Sequence, residues 1–269
     1  MSRMQASSGA PGGRAGRWIS QAVLASMAVA LAAYSTFTIS GAVLLAGAHD
    51  ESGTIRGRVS LSGGVRFAGE APAPQPIDMA ADDYCLSAHE GEAVLDSPVL
   101  TDENGFLRDV VVYVKEGLAD GEHPAPEATE LLDQEGCLYA PKALAVRAGQ
   151  TLVIRNNDAT LHNVNVTARE NRGFNIGQPI KGIEAKRSFD APEIGIEVAC
   201  DIHGWMHATI SVFDHPFFDV TRPDGGFTIE GLPAGDYVIE AWHPALGAAE
   251  APVTVSATGS AEVELVFEP

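Results

Sequence analysis

The chain has 269 residues, of which 45% are apolar and 20% charged, a mix that folds and rules out wholesale disorder. Asp and Glu total 36 against 17 Lys and Arg, so the formal charge is −19, and a protein that grips nucleic-acid phosphates with basic residues is excluded. With 28 Gly and 16 Pro, and no long Leu/Ala/Lys/Glu runs beyond the N-terminus, the composition predicts β-structure.

Residues 1–17 hold Arg3, Arg14 and Arg17 and no acid, and Trp18 to Ala48 carries no charge at all. That stretch is long enough to cross a bilayer, and its basic flank predicts that everything after it lies across the membrane from the cytoplasm, in a periplasmic or other extracytoplasmic space. Ala46-Gly47-Ala48 has small residues at the spacing a signal peptidase accepts, so residues 1–48 read as a signal peptide or a membrane anchor, and the length of the uncharged run favours the anchor. Arg14 and Arg17 are not adjacent, so no twin-arginine signal is present, and no cysteine follows the apolar stretch to take a lipid. Without these residues, which contribute three arginines and no acid, the charge moves from −19 to −22.

The rest of the chain reads as short strands. Gly53 to Val59 is predicted as a strand ending at Gly63-Gly64, followed by a Pro-rich stretch from Ala71 to Pro76. Val110 to Val114 is β-branched enough for a central strand, and Glu116 to Ala128 is a loop of Gly, Pro and acids that marks a boundary. Clean alternation runs from Leu131 to Asp214, and a second set of strands opens at Asp224-Gly225-Gly226. No helical periodicity is predicted after residue 48.

Period-2 counting brings four side chains to one place. In the strand from His162 to Val166 the histidine shares a face with Val164 and Val166, so it should face the core. From Ile194 to Cys200 the cysteine shares a face with Ile194, Ile196 and Val198, opposite Glu197. After a five-residue turn, Met206, Ala208, Ile210 and Val212 hold one face and His207, Thr209 and Ser211 the other. His203 lies in that turn, where its side chain can bend back over the barrel end. One thiolate and two imidazoles with a weak axial thioether suit a type 1 copper ion, whereas zinc is more often given four Cys or His ligands and no Met. The set predicted to bind metal is therefore His162, Cys200, His203 and Met206. Taken singly, a buried thiol, a core methionine and a turn histidine are ordinary; their grouping is not.

Three stretches, Pro141 to Gln150, Asn156 to Asn163 and Cys200 to Met206, resemble the cupredoxins, the plastocyanin and amicyanin family, and the short ligand loop looks most like amicyanin. The resemblance covers residues 126–214 and implies an eight-stranded Greek-key sandwich with His162, Cys200, His203 and Met206 on one copper ion. It also implies that Asn163 ties the two ligand loops together behind the metal. Gly204-Trp205 stands where such loops usually have proline. Asp224 to Tyr237 resembles the carboxypeptidase regulatory-like, prealbumin-type sandwich, and Gly53 to Val59 resembles its opening strand. Together these imply an all-β chain: a signal or anchor helix at 1–48, the N-terminal part of the regulatory-like sandwich at 49–125, the cupredoxin at 126–214, and the C-terminal part at 215–269. Two consecutive domains fit the same segments. The regulatory-like module is not catalytic, so no peptidase follows.

Cys85 and Cys137 remain, and two spare cysteines in an exported protein predict a disulfide between the N-terminal unit and the cupredoxin. His89, four residues past Cys85, lacks further ligands, and His243 between Trp242 and Pro244 reads as structural; His215 to Phe218 looks like a domain junction. The expected function is that of an exported blue copper protein carrying one electron, partnered by a redox protein such as a basic cytochrome and tied to the membrane through residues 18–48 if these are uncleaved. An enzyme is not expected: multicopper oxidases need H-x-H pairs and histidines beside the copper cysteine, but Cys200 is flanked by Ala199 and Asp201 and the chain holds no H-x-H. The other reading is a periplasmic copper carrier or accessory binding protein with no electron-transfer role.

Overall fold

In the computed structural model, residues 59–90, 92–257 and 260–269 are described. The predicted signal or anchor, with its arginines and Ala46-Gly47-Ala48, and residues 53–58 of the first predicted strand lie outside them. The fold is nearly all β, as the composition predicts, and its strands form two lobes, each with its own core.

One lobe is continuous in sequence. A five-stranded sheet runs in the order Phe174–Gln178, His162–Thr167, Glu193–Ala199, His207–Phe213, Ala143–Arg147, and the last two strands are parallel. A four-stranded sheet runs Glu184–Arg187, Leu152–Asn156, Glu130–Glu135, Leu138–Ala140, with a parallel pair at its centre. Leu132, Ile154, Val164, Val166, Ile196, Val198 and Ile210 fill the core of this lobe, one residue in two along each strand, because successive side chains leave opposite faces. These are nine strands among the described residues where the resemblance implied eight, since the chain around Pro141 contributes one short strand to each sheet.

The other lobe is assembled from both ends of the described chain. The strand Val59–Phe67 lies between Gly226–Leu232 and Ala261–Phe267, and Val111–Glu116 lies between Phe218–Val220 and Gly235–His243, with Gly247–Val255 at the edge. Leu61, Val65, Val112, Val114, Phe227, Ile229, Ile239 and Leu265 form its core. The first strand does not stop at Gly63-Gly64 but continues to Phe67. Glycine is required at Gly63 because a Cβ there would lie 1.9 Å from the Val263 carbonyl of the neighbouring strand. At the junction of the lobes Val111, Ala143 and Phe213 pack together, Phe213 stacks on Phe218, and the Arg147 guanidinium donates to the carbonyls of His123, Phe213 and Asp214.

Two expectations change. A short helix, Asp83–Ala88, breaks the all-strand reading of residues 49–269; its N-cap Asp82 accepts from the Tyr84 and Cys85 backbone N–H groups. Six residues are too few to show a 3.6-residue apolar period. This helix and its flanks pack on the continuous lobe, with Met79 and Cys85 in that lobe's core. The second change is at Ile194, which leaves the face shared by Ile196, Val198 and Cys200 and packs at the lobe junction. A bulge between Glu193 and Ile196 shifts the alternation, with Gly195 at φ +72° and the Trp242 ring where a Cβ would be.

That bulge turns Glu193 inward, where its carboxylate accepts from the backbone N–H groups of Arg169, Glu170 and Asn171 and from the Asn171 amide. Burial pushes its pKa up, but these donors outweigh it and hold the pKa below the ordinary glutamate value. A depressed carboxylate pKa adds stability above the unfolded-state value and loses it as pH falls through the folded-state value. Glu193→Gln is therefore expected to cost about 2 kcal/mol at neutral pH and to flatten the loss of stability on acidification below the ordinary glutamate range. Denaturant melts across pH check this, and an unchanged acid limb would contradict it.

Candidate metal centre

At one end of the continuous lobe the strand starting at His162, the strand ending at Ala199 and the strand starting at His207 come side by side, since Glu193–Ala199 pairs with both of the others. Register places the first residue of one beside the end of the next, so His162, Cys200 and the 201–206 turn meet. The His162 and His203 Nδ1 atoms are 2.9 Å apart, the Cys200 Sγ is 3.9 Å from His203 Nδ1, and the three donor atoms lie within 4.8 Å of one another. A metal about 2.0–2.3 Å from each imidazole nitrogen and thiolate sulfur fits inside such a triangle. All three residues are buried, and Met206, fully buried in the same core, closes the turn: its N–H donates to the His203 carbonyl and its carbonyl accepts from the Cys200 N–H.

The electrostatics suit a thiolate. Burial pushes the Cys200 thiol up, but hydrogen bonding with His162 and to backbone N–H groups, the His203 N–H among them, brings its pKa below the ordinary value. Burial pushes His162 down, while the Asp158 carboxylate and the Cys200 sulfur overcome that and raise its pKa to about 9. Asp158 Oδ2 lies 2.9 Å from His162 Nε2, which fixes the ring with Nδ1 toward Cys200 and His203.

Asn163 links the two loops: its Oδ1 accepts from the Asp201 N–H at 2.7 Å and lies 3.4 Å from Cys200 Sγ, and its Nδ2 donates to Asp201 Oδ2. Asn165 and Asn175 also donate to the Asp201 carboxylate, so three amides clamp the residue after Cys200. Trp205 pins the turn by donating its indole N–H to the Cys137 carbonyl.

A cover over His203 escaped the sequence reading. Cys85 and Cys137 form the expected disulfide. It holds the helix Asp83–Ala88 against the site, so that Asp82 Oδ2 sits 3.1 Å and Cys85 Sγ 3.6 Å from His203 Nε2. Asp82 also accepts from Thr160, and the Tyr84 hydroxyl lies 3.3 Å from Asp158. Two more triads, Asp82/Cys85/His203 and Cys137/Asp158/His162, are close enough to hold a metal, but each includes a disulfide sulfur and so forms a wall of the first site. His203 is consequently 2% exposed. The outer edge of His203, beside Gly204 and Trp205, is thus occupied by the cover. Asp158 and Asp82 were missed because one precedes its strand and the other comes from a distant segment; an acid four residues before His162 was the one visible sign. His89 and His243 lie elsewhere, with His89 Nε2 against the Gly136 carbonyl and His243 Nδ1 accepting from the Ala245 N–H.

No protein-family model and no curated protein matches the chain. Among solved structures, a Cu-containing nitrite reductase from Thermus scotoductus SA-01 is similar at 20% identity and a TM-score of 0.31, over 37% of this chain and 26% of that one. The chain thus spans about a quarter of the reductase's length. A purple cupredoxin from Nitrosopumilus maritimus is similar at 18% identity and a TM-score of 0.28, over 31% of this chain and 99% of the other. A reduced amicyanin variant is similar at 20% identity and a TM-score of 0.29, over 37% of this chain and all of the other.

Proposed function

We propose that the chain is an exported type 1 copper protein that carries one electron at a time and is not an enzyme, with a cupredoxin at residues 126–214 inserted into a regulatory-like sandwich of residues 49–125 and 215–269, from which the helix Asp83–Ala88 and its flanks depart to pack on the cupredoxin. The observation that carries this is the buried triangle of His162, Cys200 and His203 with Met206 on the same turn. The pairing of strands before residue 117 with strands after residue 217 supports the insertion. Copper, when bound, supplies the one-electron couple. His162 and His203 present Nδ1, Cys200 supplies the thiolate, and Asp158, Asn163 and Trp205 hold these groups in place so that little has to move when the charge changes. Absorption and EPR spectra of the copper-loaded protein test the reading: an intense thiolate-to-copper band supports it, and its absence counts against it.

Met206→Leu is expected to keep copper and raise the reduction potential, because a thioether would be a weak ligand that tunes the metal more than it holds it. Loss of all copper in that variant would give Met206 another role. The partner in this reading is a basic redox protein such as a cytochrome, docking at the covered end, where Leu86, Leu161 and Ile202 are exposed. With −22 on residues 49–269, the exchange rate is expected to fall as salt rises, because screening shortens the field to about 8 Å at physiological ionic strength. Stopped-flow mixing with a basic cytochrome measures it. Rapid loss of reduced copper to a chelator, with no electron exchange, would move the assignment to a copper carrier.

A further inference from the structure

A cleft of about 550 Å³ lies between the two lobes, within the range of small-molecule sites. One wall is the outward face of the strands that end in Ala199 and begin at His207; the other includes Arg108, Asp109 and His243. Part of the lining is apolar, with Ala143, Ala199, Pro98, Leu100 and Pro244 among its residues.

The charges in the walls are already spent on one another: Lys142 pairs with Asp96, and Arg108 Nε donates to Asp109 at 2.8 Å. Glu197 adds a further negative charge. An anion would meet net repulsion here, and each cation would have to leave its partner to bind it. Of the other polar groups in the lining, the Ser97 hydroxyl already donates to the Pro72 and Val99 carbonyls and His207 and Thr209 stand on the more exposed strand face, which leaves as the buried group open to a ligand His243, 5% exposed. Its Nδ1 accepts from the Ala245 N–H at 3.2 Å, so the neutral ring carries its proton on Nε2 and presents a donor. Burial lowers the His243 pKa and keeps the ring neutral at pH 7. No acceptor meets that N–H among the described residues.

We propose that this cleft binds an uncharged, largely apolar ring compound bearing a carbonyl oxygen, of the quinone class, with the carbonyl accepting the His243 Nε2–H. The inference stands apart from the copper reading, because no candidate copper ligand lines the cleft. Ala199 and His207 do line it and directly adjoin Cys200 and Met206 in sequence, so an occupant would touch the strands that carry both.

The test is an NMR titration of the full-length, metal-free protein with duroquinone, beside 4-methylbenzoate as an anion of similar size. Saturable shifts of Ala199, Thr209 and His243 signals at a Kd below about 1 mM, with no saturable response to the benzoate, are expected. His243→Phe removes the donor, and Thr209→Trp fills the cleft from a partly exposed strand position without touching the buried core. Each is expected to weaken duroquinone binding about tenfold or more; if the histidine variant fails to fold, the tryptophan variant decides. Absence of saturable shifts, unchanged binding in Thr209→Trp, or equal binding of the benzoate would overturn the proposal. Since the protein is metal-free, none of these outcomes depends on whether copper binds.

Discussion

Cys200→Ser is expected to remove the visible charge-transfer band completely and to leave copper, if held at all, with an EPR spectrum of nitrogen and oxygen ligation. The band requires an ionised sulfur bonded to the metal, and the structure prepares Cys200 for that state by drawing its pKa down with hydrogen bonds to the sulfur. A serine hydroxyl stays protonated at neutral pH and is a hard, poor ligand for reduced copper. Asn163 Oδ1 keeps the Asp201 N–H as its donor, so the loop is expected to hold its position and the effect to be chemical rather than structural. Titration with one equivalent of copper, followed by absorption and EPR, provides the check. A serine variant that turned blue would remove Cys200 from the site.

Opening the cover is expected to produce the second large effect. Replacing Cys85 and Cys137 together by serine frees a loop with a sequence separation of 52 residues. Chain-entropy arithmetic puts the loss of stability at about 4 kcal/mol. It also removes the covalent tie between the helix Asp83–Ala88 and the site, leaving the burial of Met79 and the contacts of Asp82 with Thr160 and His203 to hold that segment. His203 Nε2 would then meet solvent more often, and copper loss to a chelator is expected to accelerate about tenfold or more, since the hydrogen bonds that Thr160 and His203 make with Asp82 contribute only about 1 kcal/mol each against opening. Asp82→Ala, with the disulfide intact, is expected to give a smaller acceleration. Guanidinium melts report the first effect and chelator kinetics the second. Equal chelation rates in the wild type and the double variant would show that the cover does not gate the metal.

The three amides on Asp201 show how unevenly the site could be read in advance. Asn163 adjoins His162 in sequence, and its role follows from the cupredoxin resemblance. Asn165 and Asn175 carried no sign of theirs, because residue 175 reaches Asp201 only through the pairing of Phe174–Gln178 with His162–Thr167. The same holds for the helix Asp83–Ala88, too short for a helical period and set in place by a disulfide and a capping carboxylate.

What the sequence determined by itself was what depends on local rules. Alternation with a period of two decides which side chains of a strand face inward, so His162, Cys200 and Met206 could be assigned to the core, and the chemistry of thiolate, imidazole and thioether follows from composition at those positions. Turn residues mark where strands end. Tertiary structure alone decided what depends on distant segments meeting. The bulge at Gly195 moved Ile194 off the predicted face because the Trp242 ring, 47 positions on, occupies the space beside it. His203 is buried rather than exposed because Asp82 and Cys85, more than a hundred residues away, lie on its outer nitrogen. Side-chain direction is fixed by the backbone within one strand, whereas exposure is fixed by whatever else the chain folds over it.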